Sequence, residues 1–164
     1  MVNVEKYENT ILFLAATQED DAVHGSQKLA SLLYYADFDR FEYKESMVSI
    51  TGDTYRNRRM GPAPEAYLDI AKGMAERGLL AIAEKDKNTE SRATGVYKGL
   101  REPDMSVFDE GDRVILERVR RTYSRLSRAQ LEALSRREAP WAGASLGESI
   151  PYEAAFYRGT NFDS

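Results

Sequence analysis

The sequence contains no cysteine, one histidine and one tryptophan. Without cysteine the chain can form no disulfide framework, no thiolate nucleophile and no cysteine metal site. The single His24 excludes multi-histidine metal sites and paired-histidine chemistry. Because it lies beside Gly25 at the start of a predicted helix, we expect His24 to be exposed or to cap that helix. The sequence therefore predicts no metal site and no cofactor.

Long apolar runs are also missing. No run approaches the roughly 20 residues that a membrane span needs, and the 164 residues are 42% hydrophobic and 30% charged, as in soluble globular proteins. Residues 1–20 place acids and a lysine before a short apolar patch with no small-residue cleavage site, which favours an amphipathic helix over a signal peptide. We expect one cytoplasmic domain over residues 1–164, with a frayed tail at 158–164 and no membrane contact.

The fingerprints of common enzymes are absent from the sequence. It contains no G-x-x-x-x-G-K-[ST], no G-x-G-x-x-G after a strand and no G-x-S-x-G. Asp37, Asp39 and Glu42 suggest paired carboxylates, but Asp37 and Asp39 point in widely different directions on a helix. Ion pairs with Arg40, Lys44 or basic residues of a packed neighbour are the favoured interpretation. We predict no catalytic residue; an enzyme built on Asp37, Asp39 and the arginines is the third hypothesis.

Residues 26–44 form a helical segment that is too apolar to lie on a surface. At about 100° per residue two apolar stripes result, one with Leu29, Leu32, Leu33, Ala36 and Tyr43 and the other with Tyr34, Phe38 and Phe41. Two stripes predict a central helix that is covered on both sides. Ser26 can cap its start. Arg40 projects within the first stripe, so we expect it either to extend its head into solvent or to pair with an acid.

Apolar spacing and turn signals predict further elements on either side of this helix. We expect a first helix at about 4–17, a short strand or loop at 47–55, and a helix that has Pro64 in its first turn and ends at Gly78. Strands at 79–83 and 94–100 should form a hairpin with a long, mobile tip. We expect a long helix with Asp109 as its cap, and a further helix that starts at a Ser127–Gln130 capping box and is stopped by Pro140. A short helix is expected at 151–157. The predicted class is mainly α (α+β): a helical bundle around a buried central helix with a small antiparallel sheet.

The segment 56–64, RNRRMGPAP, is the most unusual surface candidate. Its two prolines and one glycine predict a constrained, non-helical turn. Arginine side chains suit carboxylates or phosphates, and a tyrosine adds a rigid contact face; the alternative is a simple connection with its arginines in solvent. The candidate partner-binding residues are Tyr55, Arg56, Arg58, Arg59, Gly61 and Pro62. For Trp141, which follows Pro140, burial is favoured over contact with a partner.

Charge is distributed unevenly along the chain, which has a formal net charge of −4. Residues 1–53 hold ten acids, whereas 113–137 holds eight arginines against Glu117 and Glu132. Solvated helix faces are the favoured explanation. The alternative function is a nucleic-acid-binding regulator that uses the arginine-rich helices 113–137. The acidic total and the lack of a reading motif weigh against it.

Three segments together resemble one family. KLASLLYYADFDRF, SITGDTYRNRRMGPAPEAY and LSRREAPWAGASLGESIPYEAA are similar to the Panacea domain, or SocA-like antitoxin domain, over about residues 24–157. The resemblance implies an antitoxin that neutralises a cognate toxin by direct protein contact and catalyses no reaction. It also implies, for some members, delivery of the toxin to a ClpXP-type protease. It names no particular toxin, and the sequence leaves the oligomeric state open.

Overall fold

The chain has an α+β fold, as the sequence predicts. A computed structural model describes residues 1–84 and 95–163. The α-helices of these residues are α1 (Val4–Ala16), α2 (Ser26–Glu42), α3 (Tyr67–Glu76), α4 (Glu110–Thr122), α5 (Arg128–Arg136) and α6 (Ala139–Ala142). The strands are β1 (Ala22–His24), β2 (Tyr55–Arg58), β3 (Gly61–Pro64), β4 (Leu80–Glu84), β5 (Gly95–Gly99) and β6 (Ser149–Ile150). Short 3-10 helices lie at Tyr43–Glu45, Met105–Val107 and Tyr152–Tyr157.

Helix α2 is buried along most of its length. All residues from 29 to 41 are buried, including the two predicted apolar stripes between those positions. The helix contacts α1, α4, α5, β3 and the 3-10 helix Tyr152–Tyr157. Its start differs from the prediction: Ser26 is already helical, and the preceding Gly25, with φ +105°, provides no side-chain cap. A backbone with positive φ suits glycine.

One antiparallel sheet has the strand order β1-β5-β4. The predicted hairpin is confirmed, with Leu80 opposite Gly99 and Glu84 opposite Gly95. Its predicted mobile tip, at 84–93, lies outside the described residues except for Glu84. Strand β1 was not predicted. It has three residues and pairs with β5, with Val23 opposite Tyr97.

The second sheet has the order β3-β2-β6 and corrects the prediction that residues 56–64 form only a constrained turn. This segment forms most of an antiparallel hairpin in which Tyr55 pairs with Pro64 and Arg58 with Gly61. Pro64 belongs to β3 and not to the next helix, which begins at Tyr67. Prolines are tolerated because β3 is an edge strand, where an outward N–H is not required. Gly78, with φ +76°, follows α3 as predicted.

The C-terminal half contains both predicted capping motifs. Asp109 caps α4 in a capping box with Asp112, and Ser127 with Gln130 starts α5. Pro140 does not stop α5, which ends at Arg136; it lies in the first turn of α6. The segment expected to fray begins at Arg158, yet the Arg158 side chain is only 1% exposed. This segment therefore packs against the core at its first residue.

Candidate functional site

The β2–β3 hairpin carries two exposed arginines at its tip, Arg58 at the end of β2 and Arg59 in the turn. Arg59 and Met60 connect the strands, and the chain re-enters β3 through Gly61 with φ +124°. A Cβ at Gly61 would lie 3.0 Å from the Ser135 side-chain oxygen, so this strand approaches α5 closely. Glycine is required here both for the backbone angle and for the close approach.

Asp37 of α2 anchors the segment that leads into the hairpin. Its fully buried carboxylate accepts hydrogen bonds from the Ile50 N–H (2.9 Å) and the Thr51 N–H (2.8 Å). The Thr51 hydroxyl (2.5 Å) and the Tyr55 hydroxyl (2.6 Å) donate to its other oxygen. Burial raises the pKa of Asp37 to about 6, against the lowering effect of the hydrogen bonds from Thr51 and Tyr55. The predicted ion pair is wrong for Asp37, because neutral donors surround it.

Asp53 fixes the same segment to two other parts of the chain. Its carboxylate accepts from the Tyr7 hydroxyl of α1 at 2.6 Å and from the Ala66 N–H at 2.8 Å. The Tyr152 hydroxyl donates to the Asp53 carbonyl at 2.6 Å. Such satisfied contacts hold the base of the hairpin in one position.

Contacts from the α6 region hold the middle of the hairpin. The Asn57 side-chain amide donates to the Trp141 carbonyl at 2.7 Å and to the Ala144 carbonyl at 2.8 Å. In return the Trp141 indole N–H donates to the Arg58 carbonyl at 2.8 Å. Trp141 is half-buried rather than buried, and the Arg136 guanidinium lies 4.8 Å from its ring centroid. Sequence reasoning missed Asn57, since nothing local marks an asparagine whose partners are about 84 residues away.

The predicted partner-binding residues divide into three groups by burial. Tyr55, Gly61 and Pro62 are buried and hold the hairpin, so their side chains are not available to a partner. Arg56 is half-buried and is occupied by an ion pair with Glu65 and by the Gly147 carbonyl at 3.1 Å. The exposed members are Arg58 and Arg59, whose side chains form no ion pair or hydrogen bond within residues 1–84 and 95–163. Of the predicted partner-binding residues, only Arg58 and Arg59 at the tip of the β2–β3 hairpin therefore remain available to a partner.

The remaining acids of α2 form a separate ionic cluster. Asp39 pairs with Arg118 at 3.3 Å and with Arg158 at 2.7 Å, and Arg158 also contacts Glu42 at 2.6 Å. Burial raises the pKa of Asp39, against the opposing effect of the two arginines. The predicted pairing with basic neighbours is confirmed here. Asp39 and Asp37 are both fully buried and have separate partners, so they form no joint site.

Arg40, for which the sequence left solvent exposure or an acidic partner open, pairs with acids. Its guanidinium contacts the buried Asp112 at 2.9 Å and Asp109 at 3.4 Å, and Lys6 contacts the same Asp112 at 2.6 Å. The start of α4 is therefore stabilised by its own cap, and ion pairs hold it against α1 and α2. These residues contribute to structure rather than to an exposed site.

Comparison with known families identifies the domain. The family described as antitoxin SocA-like, Panacea domain, matches residues 29–142, which is most of the chain. The chain belongs to this family. The SocA-like match covers α2 from Leu29 onward, the complete β2–β3 hairpin and α6, and it ends one residue after Trp141. No curated protein and no solved structure matches the sequence.

Outside the hairpin of this SocA-like domain, the arginine-rich segment 113–137 does not present one uniform surface. Arg118 is buried against Asp39, while Arg120 pairs with Glu117 on α4. Arg121 and Arg125 are exposed and form no ion pair within the described part of the chain. Several arginines of this segment are therefore neutralised internally.

The described residues contain no group of three or more metal-ligating side chains placed to hold an ion. His24 is exposed and lies 2.5 Å from Asp20. No helix in residues 1–84 or 95–163 is long and apolar enough to cross a bilayer.

Proposed function

We propose that this chain is a cytoplasmic antitoxin that neutralises a cognate toxin by direct protein contact, without catalysis. The observation that carries the proposal is the match of residues 29–142 to the SocA-like antitoxin family. The burial of Asp37 and Asp39 supports a role without catalysis, since neither carboxylate is open to a substrate.

We place the toxin contact at the hairpin tip. Arg58 and Arg59 are exposed there without an internal partner, whereas the hairpin below them is fixed by Asp37, Asp53 and Asn57. A rigid surface loses little conformational entropy on binding. Prolines in β3 interrupt the row of N–H donors that an added strand would need, so recognition is expected through side chains.

Co-expression with the protein encoded by the neighbouring gene tests the function. We expect the chain to rescue growth in cells that produce that toxin, and the two proteins to elute together on size exclusion. Absence of both rescue and complex would contradict the proposal.

The contact surface is tested by charge reversal. The double variant Arg58→Glu, Arg59→Glu should fold normally and bind the toxin at least about tenfold more weakly, since hydrogen bonds to charged groups contribute about 1.5–3 kcal/mol each. The matched control is Arg121→Glu, Arg125→Glu, which changes the net charge equally at exposed positions on and after α4. Full affinity in the hairpin variant, or an equal loss in the control, would exclude this surface.

The family resemblance also leads us to propose delivery of the toxin to a ClpXP-type protease as the mode of neutralisation. Under this mode the toxin half-life falls when the chain is co-expressed and recovers when the protease is deleted. A toxin that is neutralised yet stable would show that binding alone blocks it.

A further inference from the structure

Residues from two distant parts of the sequence, 58–61 and 135–141, meet beside the hairpin tip. The Trp141 indole donates to the Arg58 carbonyl at 2.8 Å, and the Arg136 guanidinium lies 4.8 Å from the same ring. Arg59 follows Arg58 in the turn, and Ser135, the neighbour of Arg136, faces Gly61. We call Arg58, Arg59, Arg136 and Trp141 the arginine–tryptophan surface.

The charge of this surface is opposite in sign to the net charge of the chain. The net charge is −4, yet the surface carries three arginines that are all exposed. Only Arg136 has an acidic partner, Glu132 at 3.2 Å, and that acid is 21% exposed. Arg58 and Arg59 have none within residues 1–84 and 95–163. Two guanidinium groups on a fixed backbone are therefore free to form charge-assisted hydrogen bonds with a partner.

We infer that the arginine–tryptophan surface binds a carboxylate-rich segment of the partner protein. This inference rests on the proposed function, because it specifies the chemistry of the toxin segment that the hairpin contacts. Forked guanidinium donors match carboxylates, and the half-buried indole adds an apolar surface beside the hairpin tip.

A nucleic acid fits the same surface less well. The Arg136 guanidinium lies over the Trp141 ring at 4.8 Å, so a base would have to displace it to stack on that face. Affinity for a polyanion depends on many phosphate contacts, and the acidic remainder of the chain repels a long backbone. A short acidic segment needs only the local arginines.

Trp141 provides a direct readout, since it is the only tryptophan of the chain. A short poly-glutamate peptide is titrated into the full chain at low ionic strength while tryptophan emission is recorded. We expect a saturable change that weakens with added salt. No change in the wild-type chain would overturn the inference, as would tighter binding of an oligothymidylate of equal charge.

Neutral variants locate the binding. Arg58→Gln, Arg59→Gln should lower the affinity for poly-glutamate about tenfold or more, whereas Arg121→Gln, Arg125→Gln should leave it unchanged. Both substitutions affect exposed arginines and remove the same charge, so a difference in affinity between them reports the location of binding. Circular dichroism checks that each variant is folded. An equal loss in both pairs overturns the inference.

The peptide titration and the toxin assay fail independently. If the wild-type chain rescues growth but does not bind poly-glutamate, the arginine–tryptophan surface is excluded and the proposed function stands. If it binds poly-glutamate through Arg58 and Arg59 but neither rescues growth nor binds the toxin, the proposed function is excluded instead.

Discussion

Replacing Asp37 by asparagine tests how burial controls the carboxylate that anchors the hairpin. One carboxylate oxygen faces the N–H groups of Ile50 and Thr51, and the other faces the hydroxyls of Thr51 and Tyr55. An asparagine can place its oxygen toward the two N–H groups and its NH2 toward the hydroxyls, which also accept hydrogen bonds. The Asp37→Asn variant therefore keeps the contacts and removes the titration.

The expected effect follows from the pKa of Asp37, which burial raises from 3.8 to about 6 in the folded chain. Because the folded chain binds this proton more tightly than the unfolded chain, the protonated carboxyl stabilises the fold. Its contribution is complete below about pH 3.8 and is lost as pH rises through about 6. A shift of about two units corresponds to about 3 kcal/mol in all, of which about 2 kcal/mol falls between about pH 4 and pH 7. As pH rises over that interval, the wild-type free energy of unfolding should fall by this amount relative to that of the Asp37→Asn variant.

Urea denaturation of both proteins at several pH values measures this difference. Asp104→Asn provides a control of opposite sign, since hydrogen bonds from Ser106 lower the pKa of that exposed carboxyl. Wild-type Asp104 stabilises the fold at neutral pH and loses this contribution as pH falls through its folded pKa. A pH-independent difference for Asp37→Asn, or one that favours the wild type as pH rises, would refute the argument from burial.

Three other substitutions test the packing described above. Leu33→Asp places an unpaired charge at a fully buried position of α2 and should prevent folding, so an unchanged melting temperature would contradict its burial. Gly61→Ala should lower the free energy of unfolding by about 1–3 kcal/mol through the φ of +124° and the approach to Ser135. Its control, Gly73→Ala in α3, meets no neighbour and should stabilise by about 0.5–1 kcal/mol, so equal effects in denaturation would refute the strain argument. Arg158→Met should cost about 3–5 kcal/mol, since it removes the closer of the two arginines paired with the buried Asp39. The exposed Arg120→Met should stay near wild type in the same denaturation, and a similarly small loss for Arg158→Met would mean that the cluster contributes little.

Local signals explain what could be predicted from the sequence. The apolar spacing of α2, the capping boxes at Asp109 and Ser127, and Gly78 after α3 each lie within one or two turns of the element that they mark. The β4–β5 hairpin was predictable because β4 is mostly apolar, β5 contains a β-branched and an aromatic residue, and the strands follow each other in sequence.

Long-range pairing explains what could not. Strand β1 has three residues, too few for a period, and exists because Val23 pairs with Tyr97 of β5. The two prolines of β3 indicate a turn by local rules, although an edge strand tolerates them. Asp37 and Asp39 are two positions apart on one helix, and only tertiary structure decides that one meets hydroxyls and the other arginines.

The candidate site shows the same division. The arginines at 58 and 59 were visible as a cluster beside Gly61 and Pro62. The residues that hold these arginines in place could not be predicted. Trp141 contacts the Arg58 carbonyl across 83 positions, and this contact depends on where α6 lies in the fold. Burial of Tyr55, a residue typical of binding surfaces, follows from its hydrogen bond to Asp37.

The position of Arg158 in the chain determines when the core can close. On the ribosome, Asp39 and Glu42 are made first, and Arg158 is added 119 positions after Asp39. At about 5–20 residues per second this interval lasts roughly 6–24 s. Until then Asp39 and Glu42 lack the arginine that they share in the folded chain, and Arg118 is the only other arginine paired with Asp39 among the described residues. Completion of this fold is therefore a late event, coupled to synthesis of the C-terminal segment.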